Sequence, residues 1–184
     1  MADVRIFVAI EMPSVVGQQV AGVSQRLSYL KQVRWVKPEG VHLTLKFLGD
    51  VAEERVSEIV SAVQQIASDT APMMLSTTDV GGFPKLEDAR VLWLGVGGDL
   101  EALKALQSKV TQALAEIGFE PDRRRFFAHA TVGRARRAPV RVSPEEVGLL
   151  HPVHFAVDRL TVMKSELLPD GARYTALGYG TFEA

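Results

Sequence analysis

Residues 42–49 read His42-Leu43-Thr44-Leu45-Lys46-Phe47-Leu48-Gly49, and the opening of this stretch returns at 129–132 as His129-Ala130-Thr131-Val132. Each copy alternates polar and apolar residues, the pattern of a strand with one face buried. Residues i and i+2 of a strand point the same way. His42 and Thr44 therefore share one face, and Leu43 and Leu45 turn to the core. His129 and Thr131 repeat this over Ala130 and Val132. An arginine- and aromatic-bearing stretch precedes each copy (Arg34-Trp35-Val36, then Arg125-Phe126-Phe127), with a helical pattern before that. Duplication of a helix–strand unit predicts two lobes, each offering one histidine to a shared cleft.

Working outward, Arg5 to Ile10 reads as a buried strand ended by Glu11 and Pro13. Ser14 is placed to cap a helix running to about Lys31, with Val16, Val20, Val23, Leu27 and Leu30 on one stripe. A second helix is expected from about Ala52 to Ala67. Two strands follow, near Met73 to Val80 and Arg90 to Val96, joined through Gly81-Gly82-Phe83-Pro84. Asp99 is placed to cap a third helix that Gly118 closes. Phe126 to Arg134 is strand-like, and Ser143-Pro144-Glu145-Glu146 has a capping-box shape. From Val153 to Tyr179 further strands are expected, broken at Pro169-Asp170-Gly171. Strands alternating with helices, together with turn-linked strand pairs, give an α+β class. Its mixed or antiparallel sheets face a central cleft, with helices on the outer faces. No linker composition divides residues 1–184, so a single domain of two lobes is expected.

Apolar residues are 47% of the 184, charged residues 23%, and the net charge is −1. A packed core is expected, and overall charge does not advertise a polyanion partner. The chain has no cysteine, which excludes disulfides, thiolate metal sites and a cysteine nucleophile. The N-terminal apolar run is short and lacks a cleavage-site pattern, so no signal peptide is read there, and no stretch is long enough to span a bilayer. A cytoplasmic protein without a membrane partner is expected.

Two imidazoles and two hydroxyls converging on one volume suit in-line displacement at phosphorus. A neutral imidazole takes a proton from the attacking water and a protonated one gives a proton to the leaving oxygen. Threonine hydroxyls donate to the non-bridging oxygens. A lone histidine beside a threonine in a strand is more often a half-buried polar pair. Two copies in matched contexts outweigh that. Neither motif contains a carboxylate or a His-Glu-x-x-His pattern, so no metal and no cofactor are expected.

From Arg123 to Arg141 there are seven arginines and no acidic residue. Arginine suits phosphate because its planar fork makes paired, charge-assisted hydrogen bonds. Arg136, Arg137 and Arg141 read mainly as a solvated basic loop. Strict alternation turns Arg134 away from Thr131, so a role for it requires a bulge, which Gly133 can supply. His151 and His154 read as structural or surface residues, and Gly95-Val96-Gly97-Gly98 as a turn.

These residues resemble the 2H phosphoesterases, and within them the bacterial and archaeal RNA 2′,3′-cyclic phosphodiesterases, also called 2′-5′ RNA ligases. The signature of that family is a pair of His-x-Thr/Ser-x motifs. The opening Arg5-Ile6-Phe7-Val8-Ala9-Ile10, the block His42 to Gly49, Gly82-Phe83-Pro84 with Val91-Leu92-Trp93-Leu94-Gly95, and Ser165, Leu167, Gly171 and Tyr174 are also similar to it. The resemblance implies hydrolysis of a terminal 2′,3′-cyclic phosphate to a 2′-phosphomonoester. It implies His42 as proton donor, His129 as proton acceptor, Thr44 and Thr131 as phosphate ligands and Arg134 near the phosphate. It also implies Phe7 or Phe47 stacked on a base, although alternation turns Phe47 off the catalytic face. The implied partner is an RNA or oligonucleotide ending in a 2′,3′-cyclic phosphate, acted on by a monomer. Ala128 departs from the proline usual before the second histidine. The alternatives are 2′-5′ ligation, another cyclic-nucleotide or 2′-5′ phosphodiesterase activity, or a non-catalytic RNA-binding module gripping phosphates through Arg123–Arg141.

Overall fold

The computed structural model describes residues 3–169 and 171–183. Strand β1 (Asp3–Glu11) leads into helix α1 (Ser14–Arg26) and the short strand β2 (Val33–Trp35). The first motif opens β3 (His42–Ala52), followed by α2 (Val56–Ser68), β4 (Met73–Phe83), β5 (Val91–Gly98) and α3 (Leu100–Glu116). The second motif opens β6 (His129–Ala135), before α4 (Pro144–Val147), β7 (His154–Val157), β8 (Arg159–Leu168) and β9 (Gly171–Thr181). The α+β class expected from the alternation is the one the chain adopts. Asp170, in the expected break before β9, lies outside the described residues.

All named strand pairs are antiparallel and belong to one sheet, ordered β7-β4-β5-β6-β3-β1-β8-β9, with β2 added beside β6. The expected sheets are thus joined edge to edge. The seam is one register position, Leu43 opposite Ala130. On one side of it stand β9-β8-β1-β3 and on the other β6-β5-β4-β7, each motif strand being the inner strand of its half.

The main core lies on the face of the sheet that the helices cover. Val16, Val20 and Val23 of α1, Ile59 and Val63 of α2, and Leu103, Leu106 and Val110 of α3 join one cluster with Leu43 and Ala130. Strand β1 shows both faces of the sheet. Ile6, Val8 and Ile10 enter that cluster, while Phe7 and Ala9 pack with Met163 and Tyr174 on the other. Helix α1 comes close to the turn before the first motif. A Cβ on Gly17 would lie 2.5 Å from the Pro38 carbonyl oxygen, so only glycine fits there.

Several local expectations are corrected. Ser14 is the first residue of α1; extended Pro13 takes the cap position, and no side chain caps. The helix stops at Arg26, because the chain tightens into turns at Ser28 and Leu30 to reach β2, yet Leu27 and Leu30 stay buried. Asp99 holds the N-cap position of α3 as expected, but its side chain makes no cap hydrogen bond to the helix. Its carboxylate accepts the Met74 N–H at 2.8 Å, which ties the start of the helix to β4. Gly95–Gly98 is the end of β5 and not a turn. The Ser143 capping box forms as read, and Gly118 ends α3 at φ +93, a conformation that favours glycine.

Leu43 is fully buried at the one register position that pairs β3 with β6. Leu43→Ala is expected to cost about 2–5 kcal/mol in urea unfolding. A loss well below that range would mean the seam is not a packed element of the core.

Candidate active site

The seam decides the geometry of the motif residues. In an antiparallel ladder, pairing Leu43 with Ala130 sets His42 across from Thr131 and Thr44 across from His129. Leu43 and Ala130 point to the core, so the four polar residues stand on the opposite face. Both strands open with the same burial pattern, in which histidine and threonine are half-buried and the aliphatic residues buried. The ladder between the two motifs is confined to this pair, so the strands diverge from it.

Each imidazole is held in the same way. His42 Nδ1 lies 2.7 Å from the Gly40 carbonyl oxygen and His129 Nδ1 2.8 Å from that of Phe127. A carbonyl only accepts, so Nδ1 carries the proton in both rings. In the neutral form Nε2 then presents a lone pair, and in the charged form a proton. Aromatic rings fix the planes. Phe7 lies 4.8 Å from His42 and Tyr174 meets it edge-on, also at 4.8 Å. Phe83 meets His129 edge-on at 5.1 Å, with Phe127 at 5.9 Å.

Both imidazoles titrate below the ordinary 6.5. Burial is the main cause in each, since it disfavours the cation, and the positive charge of Arg134 adds to it. The carbonyl hydrogen bonds oppose the shift without reversing it. Burial likewise raises the Tyr174 phenol, against the opposing charges of Arg134 and Arg5.

Arg134 reaches the site through a bulge, and the first motif uses the same device. On β5, Leu92 and Trp93 are consecutive, while their partners on β6 are Gly133 and Thr131, so Val132 is the extra residue. On β1, Val8 and Ala9 pair with Lys46 and Thr44, so Leu45 is the extra residue of β3. Each bulge falls on the fourth residue of its motif and leaves two consecutive buried residues, Leu45-Lys46 and Val132-Gly133. Alternation then resumes in the opposite phase, bringing Phe47 and Arg134 onto the histidine face. The bulged residue in β6 is Val132, beside the glycine expected to supply it. Gly133 instead lets β2 approach, since a Cβ there would lie 2.7 Å from Val33 Cγ1.

Phe47 is 52% exposed and 5.7 Å from the Phe7 ring. Phe7 itself is 1% exposed. It backs His42 and, being buried, offers no face to a base, which corrects the expectation that it could stack one. Sequence reading assigns no part at the site to Tyr174, Phe83, Trp93 or Phe127, because rings contributed by four other segments have no shared spacing. It also misses Lys46, which is 3% exposed. Its ammonium donates to the Glu120 carbonyl at 2.6 Å and pairs with Asp122 at 3.4 Å, tying β3 to the loop that enters the second motif. Among the described residues, no three histidine, aspartate or glutamate side chains gather as a metal would require.

Residues 10–93 match the family model described as LigT like Phosphoesterase. Two relatives carry the name RNA 2′,3′-cyclic phosphodiesterase. One, from Archaeoglobus fulgidus, is 36% identical over 72% of this chain and 73% of its own. The other, from Methanothermobacter thermautotrophicus, is 33% identical over 94% of this chain and 95% of its own. Among solved structures, E. coli LigT complexed with 3′-AMP superposes with a TM-score of 0.80 at 25% identity, covering 99% of both chains.

In an NMR titration of the free protein, His42 and His129 are expected to protonate below 6.5. Arg134→Gln removes a positive charge that disfavours both imidazolium ions, so both midpoints should move up. If neither moves, Arg134 does not face the pair.

Proposed function

The chain belongs to the LigT-like phosphoesterase family, and from that membership and its paired site we propose that it opens 2′,3′-cyclic phosphates at RNA 3′ ends, leaving a 2′-phosphomonoester. The observation that carries this reading is the matched pair of imidazoles, each with Nδ1 tied to a carbonyl and Nε2 left for proton transfer, on one face with two threonines.

In the proposed step, His129 Nε2 takes a proton from water as its oxygen attacks phosphorus. The bond from phosphorus to O3′ breaks in line, and His42 Nε2 gives its proton to that oxygen. The 2′ oxygen keeps the phosphate. Thr44 and Thr131 donate to the non-bridging oxygens, where charge builds in the transition state, and Arg134 offsets that charge. Phe47 stacks on a base. No step needs a metal. Both histidines come from one chain, so a monomer suffices. The unit proposed is the whole of residues 1–184, working as two halves about the seam. Among the described residues no helix is long and apolar enough to cross a membrane, and a cytoplasmic setting fits the cysteine-free sequence.

An oligonucleotide ending in a 2′,3′-cyclic phosphate, incubated in EDTA, tests the reading. Wild type should open the ring to a 2′-phosphate, with each of His42→Ala and His129→Ala lowering kcat by about 10²–10⁴-fold. Thr131→Val should lower it by about 10²-fold. An intact ring on tightly bound oligonucleotide would leave an RNA-binding module in place of an enzyme.

A further inference from the structure

Strand β2 has three residues and pairs with β6 beyond the point where β3 has left it. Its register sets Val33 opposite Ala135, Arg34 opposite Arg134 and Trp35 opposite Gly133. Residues directly opposite share a face. Val33 and Trp35 pack into the core, and the missing side chain of Gly133 gives them room. Arg34 therefore stands beside Arg134 on the face that carries the histidines, and both are exposed.

Like charges directly opposite destabilise a sheet. Neither arginine takes part in the ion pairs formed among the described residues. No carboxylate among the described residues neutralises this juxtaposition, whereas an anion between or across the two guanidinium groups resolves it. The charge of Arg134 bears on His42, His129 and Tyr174. Arg134 thus faces the histidine pair, and Arg34 lies beside it on the neighbouring strand, about 4.8 Å away.

We propose that Arg34, beside Arg134, forms a second phosphate subsite that takes the phosphodiester one nucleotide upstream of the cyclic end. This rests on the cyclic-phosphodiesterase reading. A 2′,3′-cyclic phosphate terminates its strand, so any further phosphate comes from the 5′ side, and a substrate with one phosphate leaves the subsite empty. Arg34 is a binding and specificity residue and takes no part in proton transfer.

The test compares a dinucleotide ending in a 2′,3′-cyclic phosphate with a nucleoside 2′,3′-cyclic phosphate that has no other phosphate. Wild type should prefer the dinucleotide. Arg34→Gln should reduce the ratio of the two kcat/KM values about tenfold, through KM, as loss of one charge-assisted contact predicts. Arg34→Lys should retain part of the preference, and the salt dependence of dinucleotide KM should weaken in Arg34→Gln. An equal loss on both substrates would overturn the subsite, placing Arg34 on the cyclic phosphate or in the fold. No loss on either would also overturn it. If wild type opens neither ring, the cyclic-phosphodiesterase reading fails first and the subsite falls with it.

Discussion

The contact between Leu43 and Ala130 is the constraint on which the rest of the molecule depends. It is the one place where the inner strands of the two half-sheets pair, and both side chains are fully buried against the helices. A strand offers only two faces, so burying these two residues forces His42, Thr44, His129 and Thr131 outward together. A slip of one residue at the seam would send the imidazoles into the core and the aliphatic side chains onto the opposite face. Core packing thereby holds the chemistry in register.

The face that results has the chemistry to suit an anion. Two half-buried imidazoles are kept below their ordinary pKa by burial and by Arg134, so positive charge is concentrated in a guanidinium and the histidines are largely neutral near pH 7. A bound phosphate reverses part of that field and favours the imidazolium, which is the form the proposed donor requires. The aromatic rings behind each histidine supply the burial. The carbonyls of Gly40 and Phe127 hold the tautomer and keep Nε2 available. The bulges at Leu45 and Val132 then place an exposed ring and a guanidinium at equivalent points of the two motifs, one suited to a base and the other to a phosphate.

Much of this was legible in the residues, for identifiable reasons. The repeated His-x-Thr pattern carries its own period, so the strands, their buried faces and the four central side chains could be read without a structure. Helix α1 announced itself through its apolar stripe. Strand β2 did not, because three residues cannot display a period and its pairing with β6 is long-range. The bulges were only half legible. Gly133 hinted at one, but nothing in Leu45 marks it as an extra residue, so simple alternation puts Phe47 on the wrong face. Phe7 looked available because sequence shows aromatic character and not burial. Lys46 occupies a polar position in an alternating strand, and only the loop folded over it explains why it is buried.

The pH dependence of kcat/KM on a 2′,3′-cyclic phosphate substrate tests the two-histidine account most directly. The proposed step needs His129 neutral and His42 protonated, and both are expected to titrate below 6.5 in the free protein. The product of those two fractions gives a bell whose maximum lies on the acid side of 6.5 and whose alkaline limb falls through neutrality. A rate that instead rises through 6.5 to an alkaline plateau would contradict the account, since it would show that no protonated imidazole is needed to release the leaving oxygen.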